Sequence, residues 1–140
     1  MGVEEKKKTA VPAKKIVIAD DDESIRKTFD LILNKKYQIF PAKDSREALA
    51  LFKGTRFDLL IADCKLPYLS GLELVEELRK RGYRGEVILI SAFPDLVKGA
   101  DLDRLSIGQF FVKPLDLKVF TKLIDWLLES TDQPEKGMRL

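Results

Sequence analysis

The sequence predicts a doubly wound α/β domain: a five-stranded parallel sheet, order 2-1-3-4-5, with five helices on its two faces. Three observations lead there. Short apolar runs, Ile16-Val17-Ile18-Ala19 and Leu59-Leu60-Ile61-Ala62 among them, are nearly continuous, as in strands buried on both faces. Between such runs lie segments with apolar residues at helical spacing. Strand and helix then alternate five times, the pattern of a parallel sheet covered by helices.

The elements follow in order along the 140 residues. Residues 1–14, with Glu4-Glu5-Lys6-Lys7-Lys8 and Pro12, read as a flexible N-terminal tail. The folded domain is expected over 15–130 and a polar, flexible C-terminal tail over 131–140. Strand one is placed at 16–19. Helix one runs over about 22–35, with Asp22 available as a cap and Ile25, Phe29 and Ile32 on one face. Strand two is short, 37–40. Helix two opens at Asp44, with Glu47 three residues on as in a capping box, and buries Ala48, Leu49 and Phe52. Strand three is 59–62.

After the turn at 67–71, Ser70-Gly71-Leu72-Glu73 gives a second capping box. Helix three runs to about Arg81 with Leu74, Val75 and Leu78 inward. Gly82 and Gly85 break the chain before strand four, 87–90. The fourth helix is weakly specified: Pro94 suits a first turn, but Gly99 interrupts an imperfect apolar stripe. Strand five is 110–112. Helix five, over about 116–129, has Phe120, Leu123, Ile124, Leu127 and Leu128 at i, i+3, i+4, i+7 and i+8. Trp126 falls outside that stripe and marks either a partner surface or a surface covered by the C-terminal tail.

Composition narrows the function. The chain is 45% hydrophobic and 34% charged, ordinary for one globular domain. Its 25 basic and 23 acidic residues are too balanced to suggest direct nucleic-acid binding. No apolar run reaches the roughly 18 residues of a membrane span, and residues 1–15 lack the apolar core of a secretory signal. One cysteine, Cys64, forms no internal disulfide and fits a reducing, cytoplasmic setting. It reads as a small buried hydrophobe rather than a redox sensor. There is no histidine. That removes Ser-His-Asp and Cys-His chemistry, histidine metal ligands and a phosphohistidine on this chain. Phosphoryl chemistry here must use carboxylates, hydroxyls and lysines.

Three strand ends carry such groups. Strand one ends in Asp20-Asp21-Asp22, strand three in Asp63 and strand five in Lys113-Pro114. In open parallel sheets ligands sit beyond the strand C-termini, where strand order reverses. In the flavodoxin-like order 2-1-3-4-5 that point lies between strands one and three, both ending in aspartate. Carboxylates held close repel one another, so a hard divalent cation with oxygen ligands suits them.

These residues resemble the receiver domain of bacterial two-component response regulators. The resemblance rests on Asp20-Asp21, on Asp63 with Pro67 and Gly71 behind it, on Ser91-Ala92 and on Lys113-Pro114, in order over about 15–129. It implies that Asp63 accepts a phosphoryl group from a sensor histidine kinase or a histidine phosphotransfer protein. It also implies Mg²⁺ held by Asp21, Asp63 and the backbone carbonyl of Lys65, with Asp20 acting mainly through a metal-bound water. Ser91 is then the hydroxyl that meets the phosphoryl oxygens, Lys113 the paired cation, and Phe110 the switch aromatic that turns inward on activation. The Lys113–Pro114 bond is expected to be cis.

Departures from the commonest pattern carry their own expectations. Serine stands at 91 where threonine is more frequent, and phenylalanine at 110 where tyrosine is. Lys65 and Phe93 occupy positions that tune phosphoryl lifetime in the family, and a shielding Phe93 predicts slow dephosphorylation. The weak fourth helix suggests a mobile signalling face acting on a downstream protein target. Two other readings are a scaffold that binds partners without phosphorylation and a Mg²⁺-dependent aspartyl-phosphate phosphatase. The complete set Asp20, Asp21, Asp63, Ser91 and Lys113 argues against the first. Lys65, where such a phosphatase typically has its second aspartate, argues against the other. No output module follows the domain in this sequence, which fits either a stand-alone regulator or a part of a longer chain.

Overall fold

The computed structural model describes residues 12–129. The tails expected at 1–14 and 131–140 therefore lie outside the described residues, apart from 12–14. The elements are β1 (Lys15–Ala19), α1 (Glu23–Leu33), β2 (Gln38–Ala42), α2 (Ser45–Phe52), β3 (Leu59–Asp63), α3 (Gly71–Lys80), β4 (Glu86–Ser91), α4 (Gly99–Arg104), β5 (Gln109–Val112) and α5 (Leu117–Glu129). A one-turn 3₁₀ helix, Pro94–Leu96, precedes α4. All strands are parallel, in the order β2-β1-β3-β4-β5. This is the predicted flavodoxin-like, doubly wound sheet.

The sheet divides its side chains by strand alternation. Val17, Ala19, Leu60, Ala62, Val87 and Leu89 pack towards α2, α3 and the α4–β5 corner. Ile16, Ile18, Leu59, Ile61, Ile88 and Ile90 pack towards α1 and α5. Every residue of β3 is buried, because β1 and β4 flank it and helices cover both faces. Phe120 of α5 lies between Phe29 of α1, with ring centroids 5.3 Å apart, and Phe111 of β5 at 5.2 Å. Tyr37 adds a polar tie to this face, donating its hydroxyl hydrogen to Asp125 Oδ1 at 2.5 Å, while Lys36 pairs with Glu129.

Several local expectations need correction. The apolar stripe of α1 is Ile25, Phe29 and Leu33; Leu33 is buried and Ile32 lies at the exposed margin. An i, i+4, i+8 row follows one side of so short a helix better than a step of three does. β2 extends past Phe40 through Pro41 to Ala42. As an edge strand it tolerates a residue that cannot donate a ladder hydrogen bond. Leu49, Phe52 and Leu123 are only partly buried. At the start of α2, Asp44 accepts the Glu47 N–H, but the Glu47 carboxylate takes the N–H of Lys43 instead of Asp44. The Ser70–Glu73 box of α3 is complete in both directions. The weakly specified fourth helix is indeed short, six residues with no side-chain cap.

Candidate functional site

The C-terminal ends of β1, β3 and β5 bring their polar residues together through register alone. Ala19 of β1 pairs with Ala62 of β3, so Asp20 and Asp63 emerge side by side. β4 carries Ser91 to the same level, paired with Val112 immediately before Lys113. The Lys113 N–H donates to the Ser91 carbonyl at 2.9 Å, fixing the end of the edge strand. The Lys113–Pro114 peptide is cis, as expected.

Lys113 Nζ lies 2.6 Å from Asp63 Oδ2 and 3.4 Å from Asp20 Oδ2. Both carboxylates are buried, 8% and 3% exposed. Their other oxygens are also fixed: Asp63 Oδ1 accepts the Lys65 N–H at 2.9 Å, and Asp20 Oδ1 accepts the Asp22 N–H at 2.9 Å. Burial pushes the Asp20 carboxyl above its usual range, and the neighbouring Asp63 charge adds to this; Lys113 and the Asp22 N–H only partly offset it. Burial pulls Lys113 down, but its hydrogen bond to Asp63 and the charges of both aspartates outweigh that and raise it. Two anions thus share one cation, and the centre retains net negative charge.

The remaining predicted residues take different places. Asp21 is exposed on the turn after β1, next in sequence to the buried Asp20. Among the described residues, no three acidic or thiol side chains gather into a ready-made metal cage. Asp22 caps α1, its Oδ1 accepting both the N–H and the hydroxyl of Ser24. Ser91 is fully buried, and its hydroxyl donates to the Phe93 carbonyl and accepts the Phe93 N–H. Phe110 is half-buried and packs against the core on the α2–α3 side. Cys64 is buried beside Asp63, and desolvation followed by the Asp63 charge pushes its thiol up to about 11, so it remains protonated at neutral pH. Lys65 places its ammonium 4.9 Å from the ring centroid of Phe93, which joins the β3–α3 and β4–α4 loops.

The β3–α3 loop is held by residues that periodicity does not reveal. Gly71 lies against β3 so closely that a Cβ there would come within 2.5 Å of the Asp63 carbonyl oxygen. Ser45, the first residue of α2, is fully buried; its hydroxyl donates to the Pro67 carbonyl and accepts the Leu69 N–H. Tyr68 adopts a left-handed φ of 76° beneath the Arg46 guanidinium, 3.6 Å from the ring centroid. Arg79 ties the end of α3 to the α4–β5 corner, donating to the carbonyls of Leu105, Ser106, Tyr83 and Gly85. The only sequence signal for Ser45 was its place beside the Asp44 cap, and Arg79 had none.

Residues 16–125 match the response regulator receiver domain family. Sporulation initiation phosphotransferase F of Bacillus subtilis is 31% identical over 104 residues, covering 74% of this chain and 84% of that protein. Probable transcriptional regulator ycf27 of Cyanophora paradoxa is 31% identical over 122 residues, covering 86% of this chain. The chain spans only 51% of that relative's length. Among solved structures, response regulator TrrA of Thermotoga maritima, in complex with Mg²⁺-BeF, is 30% identical with a TM-score of 0.71, covering 81% of this chain and 98% of that one. No helix among the described residues is long and apolar enough to cross a membrane. With the sheet order, the paired aspartates at the strand ends and Lys113 set between them, this chain belongs to the response regulator receiver domain family, whose members signal rather than act as enzymes in the ordinary sense.

Proposed function

We propose that this domain takes a phosphoryl group from a phosphohistidine on a sensor kinase or phosphotransfer protein onto Asp63, and signals by protein contact in the cytoplasm. The observation that carries the reading is the Lys113–Asp63 contact at 2.6 Å, in a buried pocket shared with Asp20. In the transfer, an Asp63 carboxylate oxygen forms a P–O bond as the P–N bond to the partner's imidazole breaks, and the imidazole leaves. Lys113 supplies fixed positive charge where the phosphoryl oxygens gather. The Lys65 N–H holds the acceptor carboxylate in one orientation.

The donor set fits Mg²⁺: Asp20 and Asp63 bring two buried carboxylates against one lysine, and Asp21 adds an exposed carboxylate next in sequence to Asp20. Asp21, Asp63 and the Lys65 carbonyl would hold the ion, with Asp20 behind them. When bound, it supplies charge neutralisation for the incoming phosphoryl group.

Ser91 and Phe110 give the readout. The Ser91 hydroxyl is spent on the Phe93 backbone at rest, and a phosphoryl group on Asp63 offers it a stronger, charged acceptor. Exchange of that bond moves the β4–α4 loop, and the half-buried Phe110 beside it turns inward. A contact made in only one state is what shifts a two-state equilibrium. The face formed by α4, β5 and α5 then meets a downstream protein target.

Intact mass after incubation with Mg²⁺ and acetyl phosphate tests the reading on wild type and Asp63→Asn. Addition of one phosphoryl group to the wild type alone is expected. No addition even from a partner kinase turns the reading to a phosphorylation-independent scaffold. Lys65 and Phe93, in contact at 4.9 Å on the two loops that flank the site, would shield Asp63 from water, so decay of the phosphorylated form is expected to be slow. In Phe93→Glu it is expected to be several-fold faster, as a carboxylate replaces an apolar shield and helps orient water. Equal decay rates remove the shielding role.

A further inference from the structure

We propose that the cleft at the N-terminal edge of the sheet, opposite the carboxylate pocket, binds a nucleotide. The cleft has a volume of about 900 Å³ and lies between the α2–β3 and α3–β4 connections. That size suits a nucleotide, within the roughly 300–1,000 Å³ range of small-ligand sites. It is separated from Asp63 by the length of β3, five residues at about 3.3 Å each. The site stands apart from the phosphoryl chemistry proposed above and does not depend on it.

The lining has the two features a nucleotide needs. The first is positive charge arranged for phosphate. Lys53 and Arg56 stand exposed on one rim and Arg81 and Arg84 on the other. Against these four cations the cleft has two acids, Asp58 and Glu86, and Lys14 also lines it. Asp58 is already engaged by the Lys15 N–H at 2.8 Å. Arg81 is paired with Glu77 within its own helix turn, an exposed contact of small energy that a phosphate can displace. Arg84 is pre-positioned: its Nη1 donates to the carbonyls of Arg79 and Tyr83, leaving its other donors for a ligand. Guanidinium forks match phosphate oxygens in geometry as well as charge.

The second feature is a fixed aromatic wall. Phe52 and Tyr83 line the cleft and are half-buried, with ring centroids 4.8 Å apart in an edge-to-face pair. The Tyr83 hydroxyl donates to the Glu86 carbonyl at 3.2 Å, which holds the ring in place. A planar base gains contact from such rings without ordering them anew.

The test is calorimetric titration of the full chain with ATP, GTP, adenosine and tripolyphosphate, in buffer containing EDTA so that the acidic pocket holds no metal. The expected result is that a nucleotide binds wild type and Asp63→Asn equally, and binds more tightly than adenosine or tripolyphosphate. In Arg56→Glu, on an exposed loop, binding falls about tenfold or more, as expected for loss of one charge-assisted contact. Circular dichroism of the variant checks that the fold is intact, and Lys53→Glu serves as a second variant if Arg56→Glu fails to fold. Absence of nucleotide binding, equal binding of tripolyphosphate, or unchanged binding in both variants each overturns the proposal.

Discussion

The two faces of the sheet are built differently. On one, α1 and α5 lay whole apolar stripes over the isoleucines of β1, β3 and β4, and Phe120 is sandwiched by two aromatic rings. Tyr37 and Lys36 then fasten the last turns of α5 by side-chain bonds. On the other, α2 and α3 are capped and well packed, but α4 is six residues long, has no buried residue of its own and no side-chain cap. The corner after it is held by the buried Leu105 and Ile107 and by Arg79, which donates to the Leu105 and Ser106 carbonyls. The difference separates a stationary face from one that can be rearranged at little cost. The proposed readout lies at the second, with Ser91 and Phe110, while Asp63, the proposed acceptor, sits on the most enclosed strand.

The largest expected effect sets the faces directly against each other. Phe120→Ala removes a 1%-exposed side chain and is expected to cost about 3–5 kcal/mol in urea unfolding. Leu102→Ala on α4, only half-buried, is expected to cost about 1 kcal/mol. Equal losses would mean that α4 is as firmly built as α5.

Removing the fastening of α5 comes next. Tyr37→Phe deletes the bond to Asp125 and is expected to lower stability by about 1–2 kcal/mol at pH 7. Burial, then the Asp125 bond, raises the Tyr37 phenol from its ordinary 10.0. A group whose folded pKa is raised contributes stability that is full below its unfolded pKa and is lost as pH rises through the folded value. Wild type should therefore lose this contribution from about pH 10 upwards, and the deficit of Tyr37→Phe should narrow there. Melting temperatures of both proteins from pH 7 to 11 check the sign.

The smallest effect is a gain. A Cβ at Gly99, the first residue of α4, would meet nothing within 4 Å. Gly99→Ala is expected to stabilise by roughly 0.5–1 kcal/mol and to slow amide exchange in α4. If the proposed readout runs through α4, stiffening it should also weaken the response to phosphorylation.

The unequal faces explain what could be read from the sequence. Strands buried on both sides announce themselves, and so β1, β3 and β4, the sheet order, and the neighbouring positions of Asp20, Asp63 and Lys113 were legible. Hydrophobic periodicity also placed α3 and α5 within a residue or two. It slipped on α1, where Leu33 rather than Ile32 completes the stripe, because two adjacent apolar residues satisfy the period almost equally. The exposure of Asp21 was not legible either: three successive aspartates look alike in sequence, and only the turn after β1 decides which one faces inward. Ser45 and Arg79 act by hydrogen bonds to carbonyls about 20 or more residues away, and no local pattern encodes such a reach.

The bond between Tyr37 and Asp125 joins residues 88 apart. Closing so long a span carries an entropic cost that rises with the logarithm of its length. It is offset only once the intervening strands have completed the sheet on which α1 and α5 lie side by side. During synthesis the first βα unit therefore leaves the ribosome with Phe29 and Leu33 uncovered, and it stays so until α5 arrives to bury them. α5 thus completes the core that α1 begins.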